Sequence, residues 1–205
     1  MLRHLLTAIA IGLTVSPTLA APLFRVPSSA MMPTLGEGDV FLAIPPTRPL
    51  QRGDLVVYFA DHSHQTSRVV ALGKEVIEVK SGQIFIDGIA MGLTPLGQPI
   101  HDACPPLATE GKECRFLRET TPEGTSYVVI DSVTNAFFDD IQPVYVPKGH
   151  VFVMSDNRDN AVDSRYTGRG PISAGGIIGL IDTIVTTPRL IPDRNERLAG
   201  FPNAN

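Results

Sequence analysis

The chain has 205 residues, 43% of them hydrophobic and none in a low-complexity tract, enough to bury one core and a modest second lobe. A formal net charge of −4 gives no electrostatic footing for nucleic acid or for a polybasic membrane patch. Eighteen Gly and eighteen Pro imply many turns between short strands, and so a mainly β chain.

In chain order, Met1-Leu-Arg-His4 is a short basic start, followed by an apolar run from Leu5 to Val15. Ser16-Pro17-Thr18-Leu19-Ala20 then breaks the helix and ends in small residues. This is the layout of a secretory signal cleaved after about Ala20. The apolar run is shorter than the ~20 residues a span needs. A helix continued through Pro17 to Phe24 gives the other reading, an uncleaved anchor that just reaches across. Either one places residues 25–205 outside the cytoplasm.

Short apolar runs follow, punctuated by Gly and Asp: Val40–Ile44, Leu55–Phe59, Ser67–Leu72, Val76–Val79 and Gln83–Asp87. Their β-branched content and lengths of four to six predict strands rather than helices. Lys80-Ser81-Gly82 between the last two predicts a hairpin. From Gly88 to Gln142 the chain turns polar and Pro-rich, with one clear strand at Ser126–Asp131, and reads as an inserted lobe. Strands resume at Val144–Val146 and His150–Met154, and Ile177–Val185 closes the core. The tail at 188–205 is polar and reads as loose. The division is thus a leader or anchor at 1–20, a core of 22–87 with 143–187, and a lobe at 88–142.

Cys104 and Cys114 fall in a loop-like stretch of that lobe. Outside the cytoplasm, a disulfide closing this small loop is the expected state. A half metal site would need two further ligands that nothing nearby supplies, and Asp61-His62-Ser63-His64 reads as solvated loop, so no metal and no other cofactor is expected.

Four motifs carry the functional signal: Pro27-Ser28-Ser29-Ala30-Met31-Met32-Pro33-Thr34-Leu35, Arg52-Gly53-Asp54-Leu55-Val56-Val57, Ser67-Arg68-Val69-Val70-Ala71-Leu72, and Ser155-Asp156-Asn157-Arg158-Asp159-Asn160-Ala161. In this order and spacing they resemble the conserved boxes of type I signal peptidases, membrane-associated serine proteases that work with a Ser–Lys dyad. The resemblance runs from about Val26 to Val185. It implies two antiparallel-sheet domains with the outer one inserted into the core, and often a disulfide in that outer lobe.

The chain departs from the family at the reacting atoms. The family's nucleophilic Ser, directly before Met, is here Ala30. Its Lys, before the Arg of the third box, is Ser67. The Ser of the last box that helps orient that Lys is Ala161. A serine hydroxyl needs a base to take its proton, and a lysine serves only when burial lowers its pKa. Nucleophile, base and base-orienter are absent together. Ser29 is expected to point away from the cleft because neighbours in an extended segment face opposite ways, and His64 likewise by its parity with Ser67. Lys74 falls in a turn beyond that strand.

What the resemblance leaves in place is binding and architecture. Ser28 and the amide of Ala30 match an oxyanion hole. Met31, Met32 and Leu35 look like ordinary core on composition, but the family's pockets for small side chains make them candidate substrate-binding residues. A peptide would add there as a strand along an edge. Asp156, Arg158, Asp163 and Arg165 are candidates for a charge-assisted network that holds the last box. The expectation is a catalytically inactive relative on the periplasmic face. It would bind signal peptides or exported, pilin-like chains, with a membrane contact through the N-terminus. The alternative is an active peptidase with relocated catalytic groups.

Overall fold

The computed structural model describes residues 22–97, 115–131, 133 and 136–186. The leader or anchor at 1–20, the Cys104–Cys114 pair and the tail from 188 lie outside the described residues. The architecture is mainly β and every paired strand of its three sheets is antiparallel to its neighbour. Among the described residues no helix is long and apolar enough to cross a membrane.

Seven strands make the largest sheet: β1 (Leu23–Arg25), β2 (Val40–Ile44), β3 (Leu55–Ala60), β4 (Ser63–Leu72), β12 (His150–Met154), β13 (Ile172–Ser173) and β14 (Ile177–Thr186). Their spatial order is β1-β2-β14-β3-β4-β12-β13. The intervening strands form two smaller sheets. One orders β11 (Ile141–Tyr145), β5 (Val76–Lys80), β6 (Gln83–Ile86) and β7 (Ile89–Ala90). The other orders β10 (Ser126–Ile130), β9 (Phe116–Thr120) and β8 (Gly92–Pro95). β5 and β6, grouped with the core in the sequence reading, therefore pair outside the seven-stranded sheet.

Strand β3 shows why the run Leu55-Val-Val-Tyr58 is apolar without alternation. Leu55 and Val57 pack on one face with Val26, Met31, Leu35 and Phe41. Val56 and Tyr58 pack on the other with Val69, Val151 and Val153. A central strand covered on both faces has no polar side to present. A third cluster joins all three sheets, bringing Val70 and Phe152 against Ile77 and Ile84 and against Tyr127 and Val129. The smaller sheets are thus packed onto the large one through apolar side chains, each worth about 1.5–3 kcal/mol when fully buried.

Two differences from the sequence expectation have a local cause. β4 begins at Ser63 rather than Ser67, and it pairs with β3 from Ala60↔Ser63 onward. The two-residue turn between them is Asp61-His62, both at positive φ (50° and 62°), the geometry of a mirror-image turn that Gly usually occupies. Without a glycine the turn has no compositional mark. The lobe also holds β7, β8 and β9, which escaped the strand pattern because they are short, Pro-bearing or charged. The hairpin at Ser81-Gly82 forms as expected, with φ of 49° and 78°.

Candidate functional site

The four motifs converge on one buried ion pair. Arg68 donates through Nε to Asp156 Oδ1 at 2.8 Å and through Nη2 to Oδ2 at 2.6 Å, a bidentate contact. Thr34, from the first motif, donates its hydroxyl to the same carboxylate at 2.5 Å. Arg68 Nη1 reaches the carbonyl of Gly53 in the second motif at 2.8 Å. Below the guanidinium lies the Tyr127 ring, 4.1 Å from its centroid. Both charged side chains are at least 97% buried, with relative exposures of 3% and 0%. Burial opposes the charged form of Arg68, but Asp156 outweighs it and holds the guanidinium above its usual range.

The expected network of Asp156, Arg158, Asp163 and Arg165 is instead three separate pairs. Asp156 belongs to Arg68. Arg158 pairs with Glu119 of β9 at 2.6 Å, both buried. Arg165 pairs with Asp163 at 2.8 Å, and Asp163 also accepts the amide of Ser155 at 2.9 Å. Sequence reading missed Glu119, whose inward position shows only once β9 is known to alternate.

Beside this scaffold runs an open groove of about 370 Å³, whose lining includes Ser28, Ala30, His64, Ser155, Ala161 and Arg169. One wall is the turn after β1, the other the loop of the last motif, and the β3–β4 hairpin closes an end. The walls are stitched together by that loop: the Asn157 amide donates to the Ala30 carbonyl at 2.9 Å and its side-chain amide to the Ser29 carbonyl at 3.1 Å. Asn160 donates to Ser29 Oγ at 2.9 Å.

Ala30 and Ala161, at the positions of nucleophile and base-orienting Ser, both face the groove and offer it only methyl groups. Ser67, at the base position, is 1% exposed, and its hydroxyl sits 3.2 Å from Tyr58 Oη. It is not among the lining residues. Ser28 faces the groove, and the Ala30 amide makes a long 3.4 Å bond to Ser28 Oγ.

Two expectations are corrected. Met31, Met32 and Leu35, read as substrate-binding, are 1%, 1% and 0% exposed and fill core clusters, so they offer a peptide no surface. His64, expected to point elsewhere, lines the groove. His64 and Ser67 do lie on opposite faces of β4, paired with Phe59 and Val56, but it is the His64 side that borders the groove and the Ser67 side that is buried. The His64 ring packs edge-on to Phe24 at 5.1 Å and Phe59 at 5.7 Å. Asp61 is held by an ion pair with Arg169 across the groove rather than by any cluster with His62 and His64.

One buried anion–cation pair thus ties the four sequential motifs together beside the groove of an antiparallel β scaffold. The chain belongs to the signal peptidase, peptidase S26 family, whose model matches residues 1–186. It is 31% identical over 182 residues to signal peptidase I of Bacillus amyloliquefaciens, covering 86% of this chain and 79% of the relative. It is 30% identical over 182 residues to signal peptidase I T of Bacillus subtilis strain 168, with the same coverages of 86% and 79%. Among solved structures it matches a signal peptidase I from Enterococcus faecalis V583, at 18% identity and a TM-score of 0.40, over 67% of this chain and 100% of that one.

Proposed function

We propose that this chain is a non-catalytic signal-peptidase-like protein that binds extended peptide segments of exported proteins in its groove. The observation that carries the reading is the chemistry at the groove. Ala30 and Ala161 supply no exchangeable proton, and the hydroxyl at the base position is buried against a phenol. A neutral serine beside a neutral tyrosine accepts no proton near pH 7. The groove's backbone edges and polar lining remain suited to a peptide added as a strand. By its family the chain's substrates carry signal peptides, and its place is the extracytoplasmic side of the membrane. A role in pilin assembly and a membrane contact through the N-terminus belong to the same proposal.

His64 in the groove favours one rival, a peptidase with relocated groups in which this imidazole activates Ser28. The two readings separate in one experiment. The full chain is titrated with a signal-peptide analogue by calorimetry and incubated with the same peptide under mass spectrometry. Binding without cleavage is the expected result. Cleavage abolished by Ser28→Ala or His64→Ala supports the rival, and absence of binding at high micromolar peptide sinks both.

A further inference from the structure

Away from the groove, Asp131 at the end of β10, Asp139 in the turn before β11 and Asp159 in the last motif each present a carboxylate oxygen within 4.8 Å of the others. That spacing matches oxygens arranged around one ion with metal–oxygen distances of about 2.3–2.6 Å. Asp131 and Asp139 are both 6% exposed.

A second observation sets this cluster apart from an ordinary acidic patch. Asp131 Oδ1 is buried with no hydrogen-bond partner among the described residues, and the cation that meets it, at 3.4 Å, is the half-exposed Arg115. A buried carboxylate left so poorly satisfied costs several kcal/mol unless a charge meets it. The other nearby guanidinia are committed elsewhere, Arg158 to Glu119 and Arg165 to Asp163. Backbone amides hold two of the three carboxylates in place: Ala136 donates to Asp139 at 2.8 Å and Val133 to Asp159 at 3.0 Å. Against Asp131 lies Gly82, where a Cβ would come within 2.9 Å of Oδ2. Gly82, at φ 78° in its hairpin turn, leaves that space beside the carboxylate open. Burial, and then each other's charge, push Asp131 above the usual carboxylate range, and burial pushes Asp139 the same way.

We infer that Asp131, Asp139 and Asp159 form a binding site for a hard divalent cation of the calcium class. The ligands are all carboxylate oxygens, which suit Ca²⁺ and exclude a soft-metal site. The cation would join the residue that follows β10, the turn before β11, and the loop that carries Asn160 and Ala161. It would therefore fix one groove wall to the smaller sheets. Because the site is built from residues outside the groove, its existence does not depend on the peptide-binding reading.

The test uses the full chain stripped with a chelator and titrated with Ca²⁺ by calorimetry, with thermal unfolding followed in parallel. The expected result is one equivalent bound with a Kd of about 0.1–1 mM, the range of extracellular calcium modules, and a higher Tm at about 10 mM Ca²⁺. Asp131→Asn and Asp139→Asn should each weaken binding at least about tenfold, whereas Asp182→Asn on exposed β14 should leave it unchanged. An unchanged Tm and no heat at about 10 mM Ca²⁺ overturns the site outright, whatever the variants do. Equal affinity in all three variants overturns the assignment to these residues.

Discussion

Ser67 Oγ and Tyr58 Oη face one another at 3.2 Å inside the seven-stranded sheet, where the family's dyad would place an amine. Burial, above all, keeps the Tyr58 phenol above its ordinary range, and the bond to Ser67 only partly offsets this. The pair is neutral on both sides. Restoring a single catalytic atom therefore should not restore catalysis. Nucleophile and base act as a unit, and losing one costs on the order of 10⁶ in rate. Ala30→Ser and Ser67→Lys are each expected to leave signal-peptide cleavage at background, measured by mass spectrometry of the products. Ser67→Lys also crowds a packed site and should cost about 1–3 kcal/mol in urea unfolding. Cleavage by Ala30→Ser alone would mean that another group, His64 first, already serves as base.

The Arg68–Asp156 pair should dominate the stability of the scaffold. Asp156→Ala leaves a guanidinium buried without its anion and removes the acceptor for Thr34, with an expected loss of about 3–5 kcal/mol. The contrast is Asp61→Ala, which breaks the pair with Arg169 where Asp61 is 69% exposed. There the expected change is under about 1 kcal/mol, since water screens an exposed pair. Equal losses in the two variants, read from chemical denaturation, would refute the claim that the motifs are held by this one pair.

Much of this was legible from the residues. β2 and β12 were read to the residue, and the order of the four motifs pointed to the family, because apolar runs bounded by Gly and Asp encode strands directly. Partners across long sequence distance were not legible. Glu119 meets Arg158 only after two sheets have packed, and Thr34 meets Asp156 only once the turn after β1 lies against the loop after β12. The Asp131, Asp139 and Asp159 grouping has no ligand spacing to read, since its members sit on three separate segments. At His64 parity itself held, since it and Ser67 lie on opposite faces of β4; which of the two faces borders the groove was not legible. The first motif's Met31, Met32 and Leu35 misled in the opposite direction. Closeness in sequence to the nucleophile position suggested a pocket wall, whereas the turn after β1 tucks all three into the core.

That correction has its own test. Leu35 is fully buried between Met31, Phe41 and Val57, so Leu35→Ala should open a cavity and cost about 2–5 kcal/mol. Peptide affinity, measured on the fraction that remains folded, should stay within about twofold, because the side chain lines no part of the groove. A variant of normal stability with lost peptide binding would restore Leu35 to the substrate-binding set.

Tyr127 gives a prediction whose sign depends on pH. Its ring lies under the Arg68 guanidinium, and its hydroxyl is buried without a hydrogen-bond partner among the described residues. Burial first, and then the charge of Glu119, hold the phenol well above its ordinary value. Below about pH 10 the tyrosine is protonated in both folded and unfolded chains and contributes no pH dependence. Above that, the unfolded chain releases the proton while the folded one keeps it. The folded state then binds more protons, so stability falls as pH rises, by up to about 1.4 kcal/mol per pH unit for one group. Tyr127→Phe keeps the ring under Arg68, removes the orphaned hydroxyl and removes this titration. At pH 7 the variant should be as stable as the parent or more so by about 1 kcal/mol. Between about pH 10 and 11 its advantage should widen, as the parent alone pays for holding the Tyr127 proton. Urea unfolding at the two pH values reads both effects. A variant weaker than the parent by over about 1 kcal/mol at pH 7 would show that the hydroxyl has a partner after all, and parallel alkaline slopes would show that Tyr127 ionises in the folded state as easily as in the unfolded chain.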